Sequence, residues 1–287
     1  MKSVLITGTS KGIGLEAALA FGRAGYKVHA TMRNPSQSEL AEKAAREKLP
    51  ITVSTMDVDS DQSVERAIAA IHQDHGPIDV LVNNAGVERS GSVEELPIAD
   101  FRAVMETNYF GAIRCIQALA PPMRKRRSGC IINVTSVAGR ISSAPLAPYT
   151  SSKWALEALS EALAGEMKTF NVRVAIVEPG IIDTAMARRI GDQAVESPYR
   201  QRARFTSLFA ASLEHPAPPS LVGQKILEIA ESGTWQLRHP VGPDAVPFLE
   251  WRRKMSDEEW VTLNGSDDET WYSSLQRDFG LDTRPKN

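Results

Sequence analysis

Residues 7–14 read Thr7-Gly8-Thr9-Ser10-Lys11-Gly12-Ile13-Gly14 and join an apolar run to a helical stretch. In such a turn one glycine allows the sharp bend, one lets the backbone approach a pyrophosphate, and one lets the helix pack close to the strand. The N-terminus of the following helix offers free N–H groups to phosphate. The turn predicts a dinucleotide site, with an ordinary glycine-rich βα turn as the alternative. Its predicted residues are Gly8, Ser10, Lys11, Gly12, Ile13 and Gly14.

Short apolar runs and helical stretches alternate along the rest of the chain. The runs are nearly continuous in apolar residues, as expected of strands covered on both faces of a parallel sheet. They are Ser3–Thr7, Lys27–Thr31, Ile51–Met56, Ile78–Val82, Cys130–Thr135 and Val172–Val177. The helical stretches between them include Ile13–Ala24, Ser63–His75, Phe101–Arg127 and Tyr149–Phe170. This order predicts an α/β fold with a doubly wound parallel sheet and a ligand outside the carboxyl ends of its strands.

The regular alternation stops after Pro179. Residues 181–219 mix helical and loop character and are interpreted as a substrate lid. A helix over Leu221–Ser232 and a seventh strand over Thr234–His239 are expected next. We therefore predict a single catalytic domain over residues 1–245. The polar extension 246–287 carries scattered aromatic residues, and we expect it to pack on that domain or on a neighbouring subunit.

Composition excludes several classes of protein. The chain has 287 residues, of which 42% are hydrophobic, and a net charge of -2. This balance gives no general electrostatic case for nucleic acid, and no run approaches the ~18 apolar residues of a membrane span. The two cysteines and five histidines lack metal-ligand spacing, so no metal site is predicted. Without a signal-peptide pattern, a cytoplasmic location is the expectation.

Several further motifs follow the glycine turn in a set order. They are Asn83-Asn84-Ala85-Gly86, Asn108, Ser136, Tyr149-Thr150-Ser151-Ser152-Lys153 and Pro179-Gly180. Together with the Gly-x-x-x-Gly-x-Gly spacing, they make the chain resemble the short-chain dehydrogenase/reductase family over roughly residues 2–245. The resemblance implies a seven-stranded Rossmann fold and a nicotinamide-dependent oxidoreductase that acts on alcohols or carbonyls.

Tyr149 and Lys153 lie four residues apart at a helix start, so both side chains project from one face. A lysine ammonium ~4 Å from a phenol stabilises the phenolate by about 4 kcal/mol, which corresponds to about three pKa units. The pair therefore predicts a lowered pKa for Tyr149. The resemblance makes Tyr149 the general acid/base and Lys153 a partner of the nicotinamide ribose. It also implies that Ser136 binds the substrate oxygen and that Asn108 holds a water molecule in a proton relay. Ordinary packing of these four side chains is the alternative.

The same resemblance bears on the choice of nicotinamide cofactor. No acidic residue occurs between Glu16 and Glu39, although an NAD site needs one there for the ribose. Met32 stands near that position, and the basic residues Arg33 and Lys11 could hold a 2′-phosphate. NADP(H) is therefore preferred, NAD(H) remains possible, and solvated loop charges are the alternative. The resemblance adds cofactor contacts at Asp57, Val58, Asn84, Ala85, Gly86, Pro179, Gly180, Ile182 and Thr184, although Asp57 and Thr184 could instead cap local turns.

Substrate contacts are expected from 87–96, 137–148 and the lid, where apolar residues favour a bulky hydrophobic ketone or secondary alcohol. The leading hypothesis is an NADPH-dependent carbonyl reductase that resembles steroid, retinoid and bulky-carbonyl reductases. The alternatives are an oxidative hydroxysteroid or retinol-type dehydrogenase, and a nucleotide-sensing protein without turnover. Family members commonly form dimers or tetramers through two long helices, which here are Phe101–Arg127 and Tyr149–Phe170.

Overall fold

A computed structural model describes residues 1–192 and 196–284 of the chain, so small parts of the predicted lid (193–195) and extension (285–287) lie outside the described residues. The strands are β1 Ser3–Thr7, β2 Lys27–Met32, β3 Ile51–Thr55, β4 Val80–Asn83, β5 Gly129–Val134, β6 Val172–Pro179 and β7 Arg238–Val241. They form one sheet in the order β3-β2-β1-β4-β5-β6-β7. Every neighbouring pair is parallel. The predicted doubly wound seven-stranded fold is confirmed.

The α-helices of the first 192 residues are α1 Gly12–Arg23, α2 Leu40–Glu47, α3 Asp61–His75, α4 Ile98–Met105, α5 Gly111–Arg126, α6 Ala147–Lys168 and α7 Ala185–Gly191. Those that follow are α8 Arg200–Ser212, α9 Pro219–Ser232, α10 Ala245–Arg253, α11 Asp257–Gly265 and α12 Asp268–Phe279. Short 3-10 turns occur at Pro35–Gln37 and Val137–Gly139. The helix expected over Phe101–Arg127 is interrupted by a π-helical turn at Glu106–Phe110.

Two hydrophobic layers cover the sheet. On β1, Val4 and Ile6 belong to the layer that contains α1 and α9. Leu5 belongs to the opposite layer, with α3, α5 and α6. Because successive side chains of a strand point to opposite faces, both faces of β1 are buried, which explains its continuous apolar sequence.

The position of β1 decides where a ligand can bind. β1 pairs with β2 on one side and with β4 on the other. The strand order therefore reverses between β1 and β4, and the crevice at such a switch point is the usual ligand site of open α/β sheets. The turns that follow these two strands carry the glycine motif and the Asn84–Gly86 motif.

The seventh strand lies later in the chain than predicted. Thr234–His239 was expected, but the ladder with β6 begins at Arg238, which pairs with Ile176. Thr234 and Gln236 instead take part in a local turn, in which the Gln236 N–H donates to Thr234 Oγ1 at 3.1 Å.

The extension packs on the lid and on the turn after β5, within the same chain. Aromatic residues of α10 and α11, Phe248 and Trp260, form a cluster with Ile141 and with Leu208 of α8. Trp260 Nε1 also donates to the Ser142 carbonyl at 2.9 Å. The boundary at residue 245 stays a prediction.

A buried arginine joins the lid to the extension. Arg204 of α8 is only 2% exposed, and its guanidinium donates to Asp268 Oδ1 at 2.6 Å and to the Ser266 carbonyl at 2.7 Å. A buried cation requires such partners. The Arg204 guanidinium therefore holds α8 against the start of α12.

Within the two described ranges, no helix is long and apolar enough to cross a membrane. The same residues contain no group of three His, Cys, Asp or Glu side chains that could hold a metal ion. Cys115 and Cys130 are buried and unpaired, and burial raises the pKa of their thiols to about 12 and about 11.

His29 predicts a loss of stability at acidic pH. Its ring is 1% exposed, stacks on His75 at 5.0 Å, and finds no hydrogen-bond partner in the part of the chain that the structure describes. Burial lowers its pKa from 6.5 to about 4, with a smaller contribution from the charge of His75. Between these values the unfolded chain binds more protons than the folded one, so stability falls as pH drops, by at most about 3 kcal/mol.

Urea unfolding at pH 7 and pH 5 measures this loss, and His29→Phe is expected to reduce the difference between the two pH values. An equal difference in wild type and variant would remove His29 as its source. His215, which lies on the surface, provides the control His215→Phe, and this change should leave the pH dependence intact.

Candidate active site

A cavity of about 580 Å³ runs from the glycine turn, past the ends of β4, β5 and β6, to the lid and the extension. Its size is within the ~300–1,000 Å³ of ordinary ligand sites. Every site residue predicted from the sequence lines it except Asn108. The fold therefore brings together the turn, strand-end and helix residues that the motifs singled out.

The glycine turn has the backbone geometry that a pyrophosphate requires. Gly8 and Gly12 have positive φ values of 69° and 59°, a region that favours glycine. A Cβ on Gly14 would lie 2.3 Å from the Gly8 carbonyl oxygen, so a side chain there would prevent this close packing. No side chain caps the start of α1, so its first N–H groups can bind an anion. These features fit a dinucleotide.

The Asn84–Gly86 turn is bonded directly to the glycine turn. Asn84 Nδ2 donates to the carbonyls of Thr7 at 2.9 Å and Gly8 at 3.1 Å. Thr7 Oγ1 accepts the N–H groups of Asn84 and Ala85, both at 3.0 Å. These hydrogen bonds therefore join the turns after β1 and β4 at one side of the cavity.

The end of the cavity next to β2 and β3 carries two basic side chains. Arg33 and Lys11 line the cavity and are exposed, whereas Met32 is 3% exposed. Asp57 and Val58 line the same end. Asp57 Oδ1 also accepts the Asp59 N–H at 3.2 Å, so the local turn predicted as the alternative is present as well.

Tyr149 and Lys153 both face the cavity from the first turns of α6. Lys153 Nζ lies 5.5 Å from the centre of the Tyr149 ring and donates to the Val134 carbonyl at 3.0 Å. Ser136, two residues after β5, donates through Oγ to the Pro179 carbonyl at 3.3 Å and accepts the Ala138 N–H at 3.1 Å. A phenol, a hydroxyl and an ammonium thus line the same cavity.

The pKa of Tyr149 departs from the sequence-based expectation. Burial raises it to about 12, the hydrogen bond to Ser136 offsets part of the rise, and the charge of Glu88 adds to it. Burial lowers the pKa of Lys153 to about 8, against the charge of Glu157, which raises it. The expected acidification of the phenol is wrong: burial is the largest cause of the shift in its pKa, and Lys153, whose Nζ donates to the Val134 carbonyl, is not among the groups that cause it.

Asn108 lies behind the cavity wall. It occupies the π-helical turn, is 1% exposed, and binds the Val87 backbone through Oδ1 at 2.8 Å and Nδ2 at 2.9 Å. A Cβ on Gly86 would lie 3.4 Å from Asn108 Oδ1 and 3.7 Å from Lys153 Nζ, so both polar groups approach the same backbone segment. The contacts show how Asn108 holds this loop; its role in a water relay stays a prediction.

Pro179, Gly180, Ile182 and Thr184 line the cavity opposite the glycine turn. Thr184 caps α7 by accepting the Ala187 N–H at 3.2 Å, and its Cγ2 would lie 3.4 Å from a Cβ on Gly12. The helix cap read from the sequence at Thr184 is therefore present, and its contact with the cofactor stays a prediction.

Asp244 was missed by the sequence analysis. Its Oδ2 accepts the Ile181 N–H at 2.7 Å, and a Cβ on Gly180 would lie 2.1 Å from its Oδ1. Burial raises the pKa of this carboxyl. Asp244 fixes the turn after β6, and the contact spans too many residues for a local motif to reveal it.

Beyond Tyr149 the cavity becomes an aromatic and aliphatic chamber. Lid residues that line this chamber include Ala187, Ile190, Phe205, Leu208 and Phe209. Residues of the extension complete the wall, namely Phe248, Trp251, Trp260, Trp271 and Leu275. The part of the wall that the extension forms was not predicted, because no local sequence pattern indicates where a distant aromatic residue will pack.

The family model for "short chain dehydrogenase" matches residues 2–195. The chain is a member of the short-chain dehydrogenase/reductase family. This short-chain dehydrogenase/reductase is an NAD(P)-dependent oxidoreductase that acts on alcohol or carbonyl groups. It is 37% identical over 238 residues to "Retinol dehydrogenase 8" of Bos taurus, a match that covers 80% of this chain and 76% of that one.

Two solved structures extend the comparison. A short-chain dehydrogenase from Streptomyces avermitilis superposes with a TM-score of 0.78 at 31% identity, covering 97% of this short-chain dehydrogenase/reductase and 98% of that chain. A gluconate 5-dehydrogenase from Burkholderia cenocepacia in complex with NADP and tartrate gives 0.74 at 25% identity, covering 85% and 95%.

Proposed function

We propose that the protein is an NADPH-dependent carbonyl reductase, and in reverse a secondary-alcohol dehydrogenase, for bulky hydrophobic substrates. One observation carries this proposal: Tyr149, Ser136 and Lys153 line one cavity together with the glycine turn and with aromatic residues of the lid and the extension. A substrate oxygen placed there would lie beside a proton donor and a hydroxyl. Bound NADPH would supply the hydride.

Tyr149 serves in this proposal as the general acid. Its raised pKa of about 12 keeps the phenol protonated at neutral pH, the form that donates a proton to a carbonyl oxygen. Ser136 holds the same oxygen as negative charge develops on it. Lys153 binds the nicotinamide ribose, and Asn108 supports the loop beside it. The presence of all four groups argues against a nucleotide sensor without turnover.

NADP(H) is the preferred cofactor in this proposal, with NAD(H) as a weaker ligand. Arg33 and Lys11 provide cations at the β2 end of the cavity, while the buried Met32 stands where an NAD site would carry an acid. A guanidinium can bind a phosphate through two hydrogen bonds.

The substrate class rests on the chamber. Its lining of phenylalanine, tryptophan and leucine side chains favours a substrate whose apolar surface is large. An oxidative retinol-type dehydrogenase is the second candidate, favoured by the similarity to retinol dehydrogenase 8.

A panel of ketones and alcohols of increasing apolar size, assayed by NADPH absorbance in both directions, tests the proposal. We expect kcat/KM for reduction to rise with apolar area and to exceed that for small polyols. Phe205→Ala should weaken this size dependence, whereas Phe170→Ala, which lies outside the cavity, should preserve it. Preference for small polar substrates would contradict the proposed class, and a larger kcat/KM for oxidation would favour the second candidate.

We further propose a cytoplasmic homodimer or homotetramer formed through the two long helical segments. Phe110, just before α5, is 44% exposed, and Trp154 on α6 is 49% exposed. Exposed aromatic residues of this kind are common at subunit interfaces.

A further inference from the structure

Two buried carboxylates lie beneath the site and take no part in the proposed chemistry. Glu157 is 4% exposed and lies one helical turn after Lys153 on α6. Glu178 is 1% exposed and comes just before Pro179 on β6. A buried carboxylate is costly unless ion pairs and hydrogen bonds compensate it. Their partners therefore indicate what the two groups do.

Both oxygens of Glu157 are engaged. Thr135 Oγ1 donates to Oε1 at 2.7 Å, and Arg238 Nε donates to Oε2 at 2.9 Å. Thr135 is the residue before Ser136, and its own N–H donates to the Val177 carbonyl at 2.8 Å. Glu157 thus joins α6 to the ends of β5 and β7.

Glu157 also contacts the chain on the far side of Ser136. A Cβ on Gly139 would lie 2.9 Å from Glu157 Cγ, so the stem of this side chain packs against the 3-10 turn that follows the serine. The segment carrying Ser136 is therefore held by Glu157 on both sides, at Thr135 and at Gly139.

The charges around Glu157 come from four elements. They are Lys153 and Glu161 on α6, Glu178 on β6, Arg238 on β7, and Arg140 in the turn after Ser136. Arg238 Nε lies 3.9 Å from Glu178 Oε1, and Arg140 Nη1 lies 3.5 Å from the same oxygen. The two guanidinium groups offset only part of the cost of burying these carboxyls, because burial and the charge of Glu157 raise the pKa of Glu178 to about 7. The charge of Glu157 also raises the pKa of Lys153, one turn earlier in the same helix.

We propose that Glu157 is a positioning residue that sets the place of Ser136 through Thr135 and Gly139. The proposal rests on the roles proposed above for Ser136 and Lys153. Glu157 touches neither substrate nor cofactor; it acts through its neighbours.

Glu157→Gln tests the proposal, with Glu161→Gln as the matched control. Glu161 also pairs with Arg238, at 2.6 Å, but it is 64% exposed. Loss of a buried charged hydrogen bond predicts a fall in kcat of about 10- to 100-fold for Glu157→Gln, while the KM for NADPH stays within about twofold. The control should keep wild-type kcat.

The pH profile separates positioning from a general loss of stability. The charge of Glu157 raises the pKa of Lys153, so Lys153 should lose its proton at a lower pH in Glu157→Gln. The alkaline limb of the profile, where kcat falls with rising pH, should therefore move to lower pH. Thr135→Val removes the hydroxyl and keeps the charge, so kcat should fall while the limb stays in place. Glu157→Gln with wild-type kcat and an unmoved limb would overturn the inference.

If Glu157→Gln does not fold, Thr135→Val and Glu157→Asp carry the test. Glu157→Asp keeps the charge but withdraws the carboxylate from Thr135, so it should lower kcat and leave the limb unchanged. Wild-type kcat in both variants would overturn the proposal. Tyr149→Phe, measured alongside, distinguishes failure of the positioning role from failure of the proposed function, because full activity in this variant would refute the proposed function itself.

Discussion

Tyr149→Phe is expected to lower kcat for carbonyl reduction by about 10³-fold, within the ~10²–10⁴-fold range of general acid–base catalysis. The change removes the phenolic hydroxyl and keeps the ring, which packs with Leu146 and Phe205. Affinity for NADPH should persist, because the glycine turn and the start of α1 are untouched.

Single-turnover absorbance measures the chemical step, and fluorescence titration measures NADPH binding. Tyr26→Phe is the matched control, since Tyr26 is a buried tyrosine that packs on Phe21 away from the cavity. A Tyr149→Phe variant that reduces ketones at the wild-type rate would remove this residue from the mechanism. Loss of activity together with loss of NADPH binding would instead indicate a structural effect.

Arg33→Ala is expected to weaken NADPH binding by about 10- to 100-fold, the range of charged hydrogen bonds, and to leave NADH binding within about twofold of wild type. Arg33 is exposed on the cavity rim, where a guanidinium can meet the 2′-phosphate that NADH lacks. The preference for NADPH should therefore collapse. Added salt should weaken NADPH binding to wild type more than to the variant.

Calorimetric titration with both cofactors measures the ratio of their affinities. Arg46→Ala provides the control, because Arg46 is an exposed arginine of α2 outside the cavity. An unchanged ratio in Arg33→Ala would disprove the phosphate contact. If NADPH and NADH weakened equally, Arg33 would bind a part that both cofactors share.

Several strands could be predicted closely because their cause is local. β1 begins and ends where its apolar run does, and β5 is displaced by one residue. Runs buried on both faces carry few polar interruptions, so their ends are visible in the sequence. β7 was misplaced because its start depends on pairing with β6, a partner far away in the chain.

Two helices of the extension begin at capping residues that are visible in the sequence. Ser256 and Glu259 form a capping box at the start of α11, and Asp267 caps α12 by accepting the Thr270 N–H. Such polar residues ahead of a helix are recognisable in a sequence. The break of the long helix at Asn108 had no such signal, because its side chain bonds to Val87, 21 residues earlier.

The amino-acid sequence by itself determined the order of the motifs, the parallel sheet and the identity of the groups that meet in the cleft. Turn geometry, helix capping and apolar periodicity act over a few residues, so they can be read along the chain. Tertiary structure alone decided the raised pKa of Tyr149, the network around Glu157 and the aromatic wall supplied by the extension. Desolvation and contact through space depend on residues that are distant in sequence, and only the folded chain brings them together.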